Sequence, residues 1–265
     1  MMLFDLEGVT YRYRHITAID ALTLSIARGT RVALVGANGS GKSTLLRILD
    51  GLYFPEAGVA RFDGEPLVEG RFADEAFALA FRRKVGLVFQ DPDVQLFNPT
   101  VFDEVAFAPL QLRWPKAEVR ERVDATLDRL RLTHLRDRAP HRLSGGEKKR
   151  VALASILVTD PEVLLLDEPT AALDPRSQSE VIDLLVGWSG TAKSVITATH
   201  DLGLIEDIAD RCCVLDAGAL SADRAPQDVL ADEDLLRRTN LIHAHRHAHS
   251  PGHVHSHPHA HGHGH

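Results

Sequence analysis

Four short apolar and β-branched runs, at residues 31–35, 85–89, 163–166 and 194–199, lack regular polar alternation, the pattern of strands buried on both faces. They predict a largely parallel central sheet. Between the second and third runs, residues 93–150 have a different texture. Pro115 there opens a segment in which Val119, Val123, Leu127 and Leu130 recur at helical spacing and form one apolar stripe. The pattern predicts a helical lobe inserted into the sheet domain. Beyond Ala217 a polar turn leads to a helix-like segment at 226–240, and after Leu241 histidine takes over. The expected fold class is α/β, with a mixed, mainly parallel sheet and an inserted helical subdomain. The expected division is a domain at 1–240, with its core at about 1–92 and 151–220 and the helical subdomain at about 93–150, followed by a tail at 241–265.

A chain of 265 residues can bury a core of this kind. Its 30 basic and 37 acidic residues, net −7, give no footprint for nucleic acid, which is excluded as the expected partner. No apolar stretch approaches the roughly 18–20 residues that span a bilayer; runs such as 151–158 are core-sized. Membrane association is therefore expected through a partner. Residues 1–10 carry Asp5 and Glu7 and lack the basic-then-apolar order of a secretory signal, so a cytoplasmic location is expected. Cys212 and Cys213, the two cysteines, are adjacent in an apolar stretch and read as reduced packing residues on opposite faces of a strand.

The chemistry starts after the first apolar run. Gly36, Ala37, Asn38, Gly39, Ser40, Gly41, Lys42 and Ser43 follow a strand and precede a helical run at 44–49 that opens with Thr44. This is the phosphate-binding P-loop pattern in its required context. The glycines let the backbone curl so that amides face an anion, and the helix adds the positive end of its dipole. Lys42 is expected to reach the β and γ phosphates, and the Ser43 hydroxyl to ligate the Mg2+ that a triphosphate brings. The strand at 163–166 delivers Asp167 and Glu168 to its end. Asp167 suits the magnesium shell, and Glu168 is placed to polarise a water for in-line attack.

A second helix start follows the lobe. Leu143, Ser144, Gly145, Gly146 and Glu147 precede Lys148, Lys149, Arg150 and an apolar helical run, with Ser144 and Glu147 spaced as a capping box. Its free amides and the Ser144 hydroxyl suit another anion. Because the first helix already serves the triphosphate, the economical occupant is a nucleotide on a partner chain. These residues resemble the ABC ATPase superfamily, whose Leu-Ser-Gly-Gly signature lies against the γ-phosphate held by the opposite subunit. The resemblance spans roughly residues 4–241 and implies ATP with Mg2+, and a homodimer or a pair of ATPase subunits. It further implies that Tyr13, with Tyr11 as the competing candidate, stacks on adenine. Gln90 matches the glutamine that touches magnesium and water, Asp174 the loop that communicates across the dimer, and His200 the histidine that contacts the γ-phosphate and orients the catalytic pair. Ala37 and Ala172 depart from the residues common in that family, proline and serine.

Only 102 positions separate Lys42 from Ser144, and the chain holds one P-loop. The superfamily's long-armed chromosome ATPases and tandem translation factors are thereby disfavoured against a transport motor. The stretch from Val85 through Phe89, Gln90, Asp91, Pro92 and Asp93 to Leu110 resembles the ATPases of energy-coupling-factor importers, particularly the cobalt and nickel branch. That resemblance implies a groove for a transmembrane coupling protein, a substrate-binding membrane subunit and a site of work at the cytoplasmic face of the cell membrane. Leu96, Phe97, Phe102 and Phe107 are the expected anchors for a partner helix, with ordinary packing in the lobe core as the alternative.

Histidine then occupies alternate positions: His243, His245, His247, His249, and again His253, His255, His257, His259, His261, His263 and His265. The interleaved residues are mostly Ala, Gly, Pro and Ser, which offer no face to bury. The tail is expected to be disordered and to bind Ni2+ or Co2+ through free imidazoles. Joined to the resemblance above, it favours a transition-metal cargo over a vitamin, with zinc transport and metal buffering as further readings.

Overall fold

The computed structural model describes the backbone of residues 2–249 and 253–260, and the side chains of residues 2–242. β1 (Met2–Tyr13) and β2 (Ile16–Ala27) form an antiparallel hairpin that runs into β3 (Arg31–Val35). A glycine-rich loop leads to α1 (Lys42–Leu49), after which β4 (Ala57–Phe62) returns to pair with β1 and β5 (Glu65–Pro66) pairs with β4. α2 (Glu69–Phe72) and α3 (Glu75–Lys84) approach β6 (Val85–Val88). Three helices, α4 (Val101–Gln111), α5 (Lys116–Arg129) and α6 (Gly145–Leu157), intervene before β7 (Val163–Asp167). Then follow α7 (Pro175–Val186), β8 (Ser194–Thr199), α8 (Ile205–Ile208), β9 (Arg211–Asp216), β10 (Ala219–Arg224), α9 (Pro226–Leu230) and α10 (Glu233–Arg238).

The strands make two sheets, ordered β2-β1-β4-β5 and β10-β9-β3-β8-β7-β6. In the second, β9, β3, β8, β7 and β6 are parallel and β10 pairs antiparallel to β9. The four predicted strands are its contiguous members β3, β8, β7 and β6, with β6 at the edge. Val35 is in register with Thr199, and Asp167 with Ala198, so the loops after β3, β7 and β8 emerge along one edge. In open parallel sheets that edge is where ligands bind.

The antiparallel sheet is not visible in the hydrophobic pattern. Register shifts interrupt β1 between Met2 and Phe4 and again around Val9, and each bulge breaks the period-two alternation that would mark a strand. This sheet has a positional task. Leu45, Leu46, Ile48 and Leu49 of α1 are fully buried in one core with Leu6, Ile19 and Ile26 of the antiparallel sheet and Leu34, Leu165 and Ile196 of the parallel one. The phosphate-loop helix is thus fixed from both sides.

The opposite face of the parallel sheet carries the other core, which contains the predicted stripe Val119, Val123 and Leu127. Leu130 sits at the C-terminal end of α5, partly buried. α6 continues past the expected lobe edge at 150 to Leu157, because Val151, Ala152, Leu153 and Ala154 belong to the same core. The helix-like segment 226–240 is broken in two, since Asp232 accepts from the Leu235 amide at 3.0 Å and caps a second helix. Cys212 and Cys213 are buried in β9 as free thiols, and burial pushes the Cys212 thiol up to about 12 and Cys213 further.

At the C-terminus the backbone of Ile242–His249 runs antiparallel to that of His253–Ala260. Strict alternation of histidine with small residues has the period of a strand. The expected metal-binding role of His243, His245, His247, His249 and His253 to His265 falls outside the residues whose side chains are described. Among the described residues no group of three or more ligating side chains forms a metal site, and no helix is long and apolar enough to cross a membrane.

Candidate functional site

The loop between β3 and α1 tolerates no side chain at two points. A Cβ on Gly36 would lie 2.4 Å from the Leu215 carbonyl and 2.4 Å from Ser40 Oγ. Gly41 has φ 104°, and a Cβ there would meet the Ala18 carbonyl at 2.5 Å. What remains is a concave backbone at a helix N-terminus, where the first amides have no partners within the helix. Ser40 Oγ is buried without a hydrogen-bond partner, an orphan hydroxyl of the kind an anion would satisfy. Asn38 and Gly39 are exposed at the loop tip. Lys42 is buried, and its Nζ donates to the carbonyls of Gly36 at 2.6 Å and Ala37 at 3.1 Å. Burial lowers the affinity of its amine for a proton, while Glu168 and Asp167 oppose that shift. These groups together fit a phosphate.

The acids arrive from β7. Ser43 Oγ donates to Asp167 Oδ1 at 2.9 Å, and burial raises the Asp167 carboxyl above its usual range. A hydroxyl and a carboxylate side by side are hard oxygen donors suited to Mg2+. Glu168 has φ 47°, a left-handed conformation rare for a non-glycine residue, and its amide donates to the Ala198 carbonyl at 2.9 Å. That turn takes Glu168 off the strand direction and brings Oε1 to 2.9 Å from His200 Nδ1. Asp167 and Glu168 are 3% and 5% exposed. Gln90 follows β6 with its side chain exposed.

Tyr13 lies against α1, with its hydroxyl 3.1 Å from Thr44 Oγ1. Tyr11 stacks instead on Tyr53, centroids 5.0 Å apart at 7°, and Tyr13 stands edge-on to both. All three tyrosines of the chain therefore form one cluster beside the phosphate loop. Tyr53 was not expected, since no spacing announces it; it joins because α1 ends four residues earlier and turns the chain back toward β1.

The second helix start is built as its spacing predicts. Ser144 Oγ accepts from the Glu147 amide at 3.3 Å, and the Ser144 amide donates to Glu147 Oε2 at 2.8 Å. Ser144 and Gly145 are exposed. A Cβ on Gly146 would lie 2.5 Å from Ser177 Oγ and 3.5 Å from Asp174 Oδ2, so the signature touches the start of α7, where Asp174 accepts from the amides of Arg176 and Ser177. Among the described residues no hydrogen bond joins Ser144, Gly145, Gly146 or Asp174 to Lys42, Ser43, Asp167, Glu168 or His200. One chain thus carries a loop whose groups fit a phosphate and, separately, an exposed helix end with unpartnered amides.

A third feature is a cavity of about 400 Å³ lined by Leu52, Leu79, Phe89, Phe97, Phe107 and Ile156 among others. Phe97 and Phe107 meet edge to face at 4.9 Å and are 66% and 38% exposed. Leu96 and Phe102 differ from the expected anchor role. Leu96 is buried in the core, and Phe102 packs against the core with the Arg136 guanidinium 4.0 Å above its ring. Asp50, at the C-terminal end of α1, also lines the cavity. It pairs with Arg82 at 2.8 Å, and burial pushes its carboxyl up to about 7 despite that partner.

The ABC transporter family profile matches residues 19–171. The nickel import ATP-binding protein NikO of Rhodobacter capsulatus is 54% identical over 242 residues, which cover 90% of this chain and 95% of that protein. The energy-coupling factor transporter ATP-binding protein EcfA of Methanothermobacter thermautotrophicus is 42% identical over 90% of this chain and 76% of its own length. Among solved structures, cbiO1 of Clostridium perfringens, part of the cbiONQ transporter complex, superposes with a TM-score of 0.75 at 37% identity, covering 91% of this chain and 95% of that one. A dimeric ATP-binding cassette bound to ADP and Pi in a post-hydrolysis state superposes with a TM-score of 0.75 at 28% identity, over 84% and 99%.

Replacing Glu168 by Gln should leave nucleotide binding intact and slow hydrolysis about a hundredfold or more, the scale of general-base and water-positioning effects. Single-turnover hydrolysis beside equilibrium ATP binding measures both; near-normal turnover would reject Glu168 as the base. Lys42→Ala should weaken ATP binding instead, because it removes the charge facing the phosphates, and unchanged affinity would contradict that role.

Proposed function

The chain belongs to the ABC transporter family, as its family match and its relatives show, and on that premise we propose that it is the ATP-hydrolysing motor subunit of a nickel or cobalt importer. The observation that carries the motor reading is the meeting of Lys42, Ser43, Asp167, Glu168 and His200 at one sheet edge. The cargo reading is supported by the identity to the nickel import protein over nearly its whole length and by the histidine-rich C-terminus. Residues 1–240 are then the ATPase domain, with 93–150 as its helical subdomain. The relatives named as energy-coupling factor ATPases favour a second reading, a vitamin importer of that type.

In the motor, the P-loop amides and Lys42 hold the β and γ phosphates, and Thr44 adds a hydroxyl close to Tyr13, which stacks on adenine. Mg2+ would be held by Ser43, Asp167 and Gln90 and would neutralise charge on the phosphates. Glu168 draws a proton from the attacking water, and His200 holds Glu168 Oε1 in place while reaching toward the γ-phosphate. The negative charge that develops on the γ-phosphoryl group is met by Lys42 and by oriented amides. Ser144, Gly145 and Gly146 supply the amides of a second helix end to the nucleotide on a paired ATPase subunit, with Asp174 at the same surface. Whether that subunit is a second copy or a related chain is an outcome of the test below.

The exposed Phe97 and Phe107 at the mouth of the cavity fit a helix of a transmembrane coupling protein. The chain then works at the cytoplasmic face of the membrane, next to a substrate-binding membrane subunit. Closing two copies on two ATP molecules draws the two grooves together, and hydrolysis releases them.

Mixed dimers test the trans assembly. A Ser144→Arg subunit paired with a Lys42→Ala subunit retains one composite site, the intact P-loop of the first with the intact signature of the second, and should hydrolyse ATP at up to half the wild-type rate. Pairs in which each site works from its own chain alone would end the two-copy reading.

The cargo is tested by uptake of radiolabelled nickel or cobalt into cells expressing the chain with its membrane subunits. Uptake should vanish with Glu168→Gln, and vitamin uptake in its place would favour the second reading.

Deleting residues 243–265 should leave basal ATPase activity nearly intact while removing most nickel or cobalt binding, measured by calorimetry. Imidazoles with an ordinary pKa near 6.5 are mostly neutral at about pH 7.5 and mostly protonated at about pH 5, so metal binding should collapse on acidification. Loss of ATPase on truncation would put the tail in the motor, and binding no tighter than about millimolar would remove its metal role.

A further inference from the structure

Lys149 lies in the second turn of α6, and its side chain is only 2% exposed. Its neighbour Lys148 is paired with Asp93 at 2.6 Å, whereas the Lys149 ammonium donates to two main-chain carbonyls, Gln90 at 2.6 Å and Phe89 at 3.3 Å. A buried cation held by neutral dipoles is an expensive way to fill space, which points to what it grips. The gripped segment is the exit of β6, where the chain leaves the sheet and its carbonyls have lost their strand partner. The same segment is tied to α6 at a second point. The Phe89 amide donates to Gln95 Oε1 at 3.2 Å, and Gln95 Nε2 donates to the Ala152 carbonyl at 2.9 Å and to Ser155 Oγ at 3.0 Å. Lys149 also senses Asp167 and Glu168, which work against the burial that pushes its ammonium down to about 8.

We propose that Lys149 is a positioning residue for ATP hydrolysis, clamping the Phe89 and Gln90 carbonyls so that the Gln90 side chain is aimed at the magnesium and the attacking water. This rests on the role given to Gln90 above. Three donors on a flexible stem can serve two carbonyls that no strand or helix can satisfy. Without the clamp those carbonyls are unpaired and the backbone drifts, and a displacement of about 1 Å is enough to cost a large part of the rate. The clamp also ties a chain's own pocket to the helix whose N-terminus serves the paired subunit, so α6 takes part in both sites.

The test is steady-state hydrolysis by the full chain carrying Lys149→Met, Lys149→Arg, Gln90→Ala, or Lys149→Met with Gln90→Ala. Lys149→Met keeps the volume and removes the donors; it should lower kcat about ten- to a hundredfold with KM for ATP unchanged. Lys149→Arg keeps donors and should recover most of that loss. The double variant should be no slower than Gln90→Ala alone, because the clamp then has nothing to aim. If Gln90→Ala turns over at the wild-type rate, the role of Gln90 fails and takes this proposal with it. If Gln90→Ala is slow while Lys149→Met is normal, or the two losses multiply in the double variant, only the proposal about Lys149 is overturned. Should Lys149→Met fail to fold by circular dichroism, Lys149→Leu, which also lacks donors, replaces it under the same outcomes.

Discussion

The parallel register of β3, β7 and β8 is the constraint on which the site depends. Val35 opposite Thr199 and Asp167 opposite Ala198 mean that the strands reach their C-terminal ends together, within a residue or two. The phosphate loop, the acid pair and His200 therefore leave the sheet side by side although they lie far apart in the sequence. A shift of one residue in β7 would turn Asp167 to the other face of the sheet and separate it from Ser43. The antiparallel sheet and the fully buried apolar residues of α1 hold the other half of that alignment. They fix the axis of α1, and hence the direction in which its first amides point.

Placed at this edge, the groups balance one another's charge. Asp167 and Glu168 are both almost fully buried, a repulsive pair in isolation. Lys42 and Lys149, buried from opposite elements, each experience both acids. Two buried lysines thus face two buried acids at one sheet edge before any nucleotide enters. A triphosphate brings more negative charge than its magnesium offsets, and the surplus falls to Lys42 and the oriented amides of the loop.

Most of the candidate site was legible in the sequence because its residues are contiguous or sit at strand ends. The glycines, Lys42 and Ser43 form one string, and Asp167, Glu168 and His200 directly follow apolar runs. The capping box at Ser144 was legible from two residues three apart. What was not legible depends on the third dimension or on broken periodicity. The bulges of β1 hid an entire sheet. Tyr53 joins the other tyrosines only after α1 has turned the chain back. Lys148, Lys149 and Arg150 are three consecutive charges with nothing in the sequence to set one apart, yet successive residues of a helix point about 100° apart, and the middle one faces inward to the exit of β6. Phe97 and Phe107 looked no different in sequence from Leu96 and Phe102; packing against the lobe core, which takes in Leu96 and covers part of Phe102, leaves the other pair exposed.

The two cysteines have a consequence for handling the molecule. Both are buried in β9, and their thiols are held protonated far above neutral pH. The thiolate is the form that reacts with maleimides, alkylating agents and oxidants. The folded native chain is therefore close to silent toward thiol reagents at neutral pH. A single cysteine introduced at an exposed position, such as Val94 or Ile16, would take up a spin or fluorescent probe on an otherwise unreactive background. Distances between two labelled copies could then be followed through a cycle of nucleotide binding and release without first stripping Cys212 and Cys213 from the core.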